Sequence, residues 1–258
     1  MKPGSQRMDG TFARLLDRRE AQGRRRRLTL PPPGVVDFSS NSYLSLAEDP
    51  DLKRRYLELL RSSGDQFSLG SGGSRLLDGN TTFTEELENR IAAFHNAPAG
   101  LLFNSGLRRQ LGPVCVHDGM KLGRAKKLPF AHNKVYGDEA GTDGLTDSGR
   151  PQSLSTVIDR LCHGPDGEVF RKGRRNIFVA VEGVYSMDGD VAPLRDIVAC
   201  VRQRLPHGNG HIIVDEAHST GIIGQRGRGL VCHLGLEDQV WARVHTFGKA
   251  MGCAGGKF

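Results

Sequence analysis

From residue 176 onward the chain alternates between two kinds of apolar spacing. Continuous apolar runs of strand length occur at "NIFVAVEG" (176–183), "HIIVDEA" (211–217) and "VWARVHTF" (240–247). Between the first two, Leu194, Ile197, Val198, Val201 and Leu205 recur at the three-and-four spacing of a single helix face. Runs that are apolar at nearly every position predict strands buried on both faces. Strands of that kind alternating with helices predict a layered α/β domain with a mostly parallel sheet.

The first half of the chain is less regular. Phe12, Leu15 and Leu16 predict an amphipathic helix over 9–22, stopped by the prolines of "LPPPG" (30–34), and "LKRRYLELL" (52–60) predicts a second helix. "SLGSGGSR" (68–75) reads as a glycine loop. Thr82 followed by Glu85 reads as a capping box opening a helix whose face carries Leu87, Ile91 and Phe94. "GLLFNSG" (100–106) reads as a short strand ending in a small-residue turn. Residues 107–152 show no strong periodicity, and helical spacing resumes at Leu154, Val157, Ile158 and Leu161. The division expected is a helical arm with its glycine loop over 1–75 and a large domain over 76–258.

Composition narrows the classes. With 37% apolar and 25% charged residues the chain can build a core. No apolar run approaches the length of a membrane span. Five scattered cysteines without a C-x-x-C pair suit a reduced compartment and predict neither a disulfide framework nor a metal site. The net charge of +7 gathers partly in Arg24 to Arg27. Asp9, Asp17 and Glu20 dilute that stretch, so a solvated helical face is expected rather than a nucleic-acid surface or a mitochondrial presequence.

The chemistry gathers at the carboxyl ends of the predicted strands, where ligands bind in open α/β sheets. Glu182 and Ser186, Asp215 and His218, and Thr246 and Lys249 stand there. A lysine packed among small residues just past a strand has a depressed pKa and can condense with a carbonyl. A buried carboxylate such as Asp215 can hold the proton of a pyridine nitrogen, the group that makes pyridoxal phosphate an electron sink.

Six stretches in order then resemble the α-oxoamine synthases. They are "NSYLSLA" (41–47), "GSGGSRLLDGN" (70–80), "LLFNSG" (101–106), "VEGVYSMDGDVAPL" (181–194), "VDEAHSTGIIGQRGRG" (214–229) and "HTFGKAMGCAGG" (245–256). The resemblance implies an aspartate-aminotransferase-like, fold type I large domain with pyridoxal 5'-phosphate as cofactor. By position it implies Lys249 as the cofactor-bearing lysine and base, Asp215 as partner of the ring nitrogen, and His218 and Ser186 near the ring hydroxyl. Thr246 and Gly106 would hold the phosphate. Asn41, Ser74 and Arg75 would line the substrate entrance. It further implies an amino acid and an acyl-CoA as substrates, condensed with loss of carbon dioxide and CoA, in a homodimer or a pair with a homologue. "SMDGD", "APL" and "VDEAHSTGIIG" are most like the 8-amino-7-oxononanoate synthases of biotin biosynthesis, which use alanine; serine palmitoyltransferase-like chemistry is the alternative. The implied location is intracellular, with cytoplasm preferred to mitochondrion or peroxisome.

The sequence also departs from the family pattern. "FNSG" leads into Leu107 where the family has an aromatic residue, and the family's ring-stacking histidine has no counterpart, His117 lying in "VHDGM" beyond it. Thr84 occupies a position that is often histidine, and with the sequence ending at Phe258 the family's C-terminal small domain is expected to be missing. These departures predict retained cofactor residues with weak or absent turnover, or a non-catalytic paralogue that pairs with an intact relative.

Overall fold

A computed structural model describes residues 3–30, 32–64, 68, 70–103, 151–165, 167–253 and 256–257. The chain forms two units, Met1–Ser40 and Asn41–Phe258. The first holds helix α1 (Pro3–Ala21), whose described side chains are exposed. The helix stops well before the prolines. Gly23 takes a left-handed φ of 63°, its amide reaching Glu20 while that of Arg24 reaches Arg19. A glycine at that position closes a helix end without steric cost, so the prolines are not its terminator. The arginine run folds back in part, Arg25 and Arg27 both pairing with Glu20.

In the second unit α2 (Pro50–Ser63) begins two residues earlier than its apolar pattern predicts. Asp49 caps it by accepting from the Leu52 amide at 2.6 Å, and Pro50 suits the first turn, where no amide partner is needed. Helix α3 (Thr82–Phe94) is capped one residue earlier than the sequence suggests. Thr81 accepts from the Thr84 amide, and Glu85 is engaged by Asn80 instead of closing a capping box. Strand β1 (Leu102–Phe103) follows, and then α4 (Pro151–His163), α5 (Gly167–Arg171), β2 (Ile177–Glu182), α6 (Leu194–Arg204), β3 (Gly210–Asp215), α7 (Leu230–Leu234), β4 (Ala242–Thr246) and β5 (Gly256–Lys257).

The sheet order is β1-β5-β4-β3-β2. Strands β2, β3 and β4 are parallel, as the apolar runs predict, and the short β5 lies antiparallel to β4 and β1. Strand β3 buries Ile212, Ile213 and Val214 in succession, the pattern of a strand covered on both faces. Strand β2 differs by burying only alternate residues, Ile177, Val179 and Val181. Its other face carries Phe178, which stacks near His211 and Trp241.

Leu154, Ile158 and Cys162 of α4 join Ile197, Val198 and Val201 of α6 in one core with Val179, Val181, Ile212 and Val214. Full burial of such a side chain contributes about 1.5–3 kcal/mol. Ile197, at 0% exposure, leaves a cavity when truncated. Ile197→Ala is expected to lower unfolding stability by about 2–5 kcal/mol in a denaturant titration. Leu59→Ala on exposed α2 is expected to stay within about 0.5 kcal/mol. Equal shifts at the two sites would contradict this core. Among the described residues no helix is long and apolar enough to cross a membrane.

Candidate active site

The parallel register brings the chemistry to one edge. Asp215, the last residue of β3, lies opposite Glu182 at the end of β2 and Val244 in β4. Thr246 ends β4 two residues further on, and the turn after it carries Lys249. That turn is closed by the Cys253 amide on the Phe247 carbonyl at 2.7 Å and the Gly252 amide on that of Lys249 at 2.9 Å. Two carboxylates and one lysine thus share the carboxyl edge of the sheet.

Asp215 Oδ1 accepts from the Ala217 amide at 2.9 Å, which bends the chain off the strand. Glu216 turns the opposite way and is completely buried. Its oxygens accept from the Leu230 and Val231 amides at 2.7 and 2.9 Å and from the Ser219 hydroxyl. Burial pushes its carboxyl above the usual range, against the pull of those donors and of Arg243. Glu216 therefore fastens the 216–231 loop. Gly229, at φ 98°, is required beside it, because a Cβ there would stand 2.6 Å from Glu216 Oε2.

Lys249 is half-buried, and the loss of water around it lowers its pKa from the ordinary lysine value, while Asp215 and Glu182 pull it back up. His218 is held below the usual histidine value first by burial and then by the positive charge of Lys249, with Asp215 opposing. Lys249, Asp215 and His218 thus lie within electrostatic reach of one another. Thr246 Oγ1 is buried and finds no hydrogen-bond partner among the described residues. A buried hydroxyl in that state is costly, and a ligand oxygen would relieve it.

The other predicted residues are distributed around this centre. Ser186 is exposed on the turn after β2, its amide donating to Glu182 Oε2 at 3.3 Å. Ser74 is exposed in the glycine loop, and Asn41 is exposed with Oδ1 accepting from the Tyr43 hydroxyl at 3.1 Å. Arg75 is occupied: its guanidinium forms a bidentate pair with Glu88 of α3, and Glu88 also accepts from the Leu102 amide at 2.6 Å. That pairing lets a glutamate be buried on α3 beside Ala92, a position the apolar pattern alone does not reveal. Gly106 and His117 lie outside the described residues. Thr84 bonds Thr81 through its hydroxyl at 2.7 Å.

One residue with a part in the site escaped sequence reasoning. Tyr43 places its hydroxyl 2.7 Å from His218 Nδ1. The only signal was its position in "NSYLSLA", where Asn41 drew the attention. The segment is seated by close approach of two turns: a Cβ on Gly252 would meet the Ala47 amide at 2.5 Å, and one on Gly221 would meet Leu44 at 3.8 Å.

Residues 158–257 match the family "aminotransferase class I and II". The chain is 46% identical, over 93% of its length and 58% of the relative's, to an 8-amino-7-oxononanoate synthase of Emericella nidulans. It is 39% identical, over 86% of its length and 47% of the relative's, to the aminoacyl transferase sphA of Aspergillus fumigatus. Among solved structures it is similar to an SPT with PLP, at TM-score 0.59 and 27% identity, covering 85% of this chain and 51% of that one. A Serine Palmitoyltransferase from S. paucimobilis with bound PLP and myriocin is similar at TM-score 0.63 and 25% identity, covering 98% and 64%. The chain thus spans less than two thirds of the curated relatives it matches.

Proposed function

We propose that this chain is an α-oxoamine synthase of the aminotransferase class I and II family and that its sheet edge holds pyridoxal phosphate. The reaction proposed is the decarboxylative condensation of an amino acid with an acyl-CoA. Alanine is the amino acid of this reading, by similarity to the 8-amino-7-oxononanoate synthases.

The observation that carries the reading is the buried hydroxyl of Thr246, which has no hydrogen-bond partner among the described residues, three residues before a desolvated lysine. The residues fit the cofactor's chemistry group by group. Thr246 Oγ1 would donate to the phosphate. Lys249 Nζ would hold the cofactor's aldehyde carbon and would serve as the base at the substrate Cα. Asp215 would keep the pyridine nitrogen protonated, and His218 and Ser186 would lie toward the ring hydroxyl. Asn41 and Ser74 line the substrate entrance, while Arg75 is committed to Glu88. When bound, the cofactor supplies the electron sink for the carbanion at Cα. A homodimer, or a pair with a homologue, completes the reading.

Titrating pyridoxal phosphate into the purified chain is expected to give a saturable visible absorbance change; a non-saturable one would overturn the assignment. Thr246→Val tests the carrying observation in two directions. A hydrogen bond to a charged group contributes about 1.5–3 kcal/mol. The variant should therefore bind the cofactor about tenfold or more weaker. Without cofactor it should be no less stable, because the hydroxyl removed has no partner to lose among the described residues. Unchanged affinity would count against the phosphate role. The serine palmitoyltransferase-like alternative is favoured by the SPT structures. Comparing alanine with serine as ligands of the loaded protein separates the two readings.

A further inference from the structure

The hydrogen bonds around His218 assign its tautomer. Tyr43 and His218 lie 175 positions apart, yet the phenol oxygen is 2.7 Å from Nδ1. The same oxygen is 3.1 Å from Asn41 Oδ1. A phenol has one proton to donate, and an amide oxygen has none. The Tyr43 proton therefore goes to Asn41, and the phenol oxygen meets His218 with a lone pair. The hydrogen between Tyr43 and His218 must then come from Nδ1. Half-burial and the Lys249 charge favour the neutral ring, with Asp215 opposing them and Tyr43 uncharged. A neutral imidazole has one N–H, so Nε2 is left as an acceptor.

We propose that Asn41 and Tyr43 act as a positioning relay that locks His218 as the Nδ1–H tautomer and leaves Nε2 as the ring's sole acceptor. The tautomer rests on these three side chains. Its consequence rests on the cofactor reading above: an acceptor Nε2 takes a hydrogen bond from a hydroxyl or an ammonium and cannot give one. Neither Asn41 nor Tyr43 needs to touch the reacting atoms for this. Asn41 thereby gains a role distinct from lining the entrance.

Nitrogen-15 histidine correlation spectra of the purified full chain, without added pyridoxal phosphate, test the relay. His218 signals are identified by their loss in His218→Gln. The expected result is a pyridine-type resonance at Nε2 and a pyrrole-type resonance at Nδ1. Tyr43→Phe removes the acceptor, and the pyridine-type signal should shift toward Nδ1. Asn41→Leu frees the Tyr43 proton for Nδ1 and should shift it the same way. Asn41→Asp retains an acceptor and should retain the wild-type pattern. A wild-type pyridine signal at Nδ1, or one pattern shared by wild type, Tyr43→Phe and Asn41→Leu, overturns the relay. A side chain that merely filled space would leave the tautomer unmoved. Because no cofactor is added, a failed cofactor titration and a failed relay are separate results.

Discussion

Lys249→Ala is expected to abolish covalent attachment of pyridoxal phosphate altogether. The readout is the mass of the intact protein after borohydride reduction: the wild-type chain gains one cofactor, fixed in the peptide that contains Lys249, and the variant gains none. The physical basis is local. Lys249 sits in a closed turn past β4, partly stripped of water, so its neutral form is favoured more than in a free lysine. Only the neutral amine is a nucleophile. Attachment should therefore speed up as pH rises and level off below the ordinary lysine value of about 10.4. A folded-state pKa below the unfolded one means that the unfolded chain holds the proton more tightly. The group's contribution to stability thus grows with pH and is lost as pH falls through the folded value. Asp215 raises the Lys249 pKa, so Asp215→Asn should move the plateau to lower pH. An adduct that survives Lys249→Ala, or a rate still climbing beyond the free-lysine range, would contradict this account of the site.

The second large effect is structural. Glu216→Ala should destabilise the fold by about 3–5 kcal/mol, near the upper end for single substitutions. The carboxylate is 0% exposed and satisfies two backbone amides at the start of α7 together with the Ser219 hydroxyl. Truncation leaves those donors buried without partners, at about 1–3 kcal/mol each, offset in part by local relaxation. Glu216→Gln should cost less, since one acceptor oxygen remains while the new amide group faces a donor. Chemical denaturation of both variants measures the difference. A Glu216→Ala protein as stable as wild type would mean that the 216–231 loop is fastened by something else. The same loop presents His218, so a loosened loop should also broaden the His218 nitrogen signals.

The two acids that close "HIIVDEA" show how sequence and structure divide the problem. The abrupt end of the apolar run marks a strand terminus, and the glycines after it mark tight turns. Both features are local, set by the two-residue alternation of a strand and the φ values open to glycine. Which acid stays near Lys249 and which anchors the loop is not local. Asp215 bends back to the Ala217 amide, while Glu216 depends on amides fourteen and fifteen residues away. Arg75 is similar: its place in a glycine loop suggested a ligand contact, but Glu88 of the following helix claims its guanidinium. Arg243, the second residue of β4, is buried because the carbonyls of His95 and Asn96 receive it. No periodicity announces that pairing.

By itself, then, the order of residues determined the parallel strands β2 to β4, the helix between β2 and β3, and the gathering of Asp215, His218, Thr246 and Lys249 at their carboxyl ends. Helix and strand periodicities are read from neighbours along the chain, and a parallel sheet turns strand ends into a shared edge. Only the tertiary structure decided the cap at Thr81, the burial of Glu88, Glu216 and the Thr246 hydroxyl, and the contact of Tyr43 with His218. Each of these depends on the path of a backbone far away in sequence, and a polar group's partner is fixed by that path rather than by its neighbours.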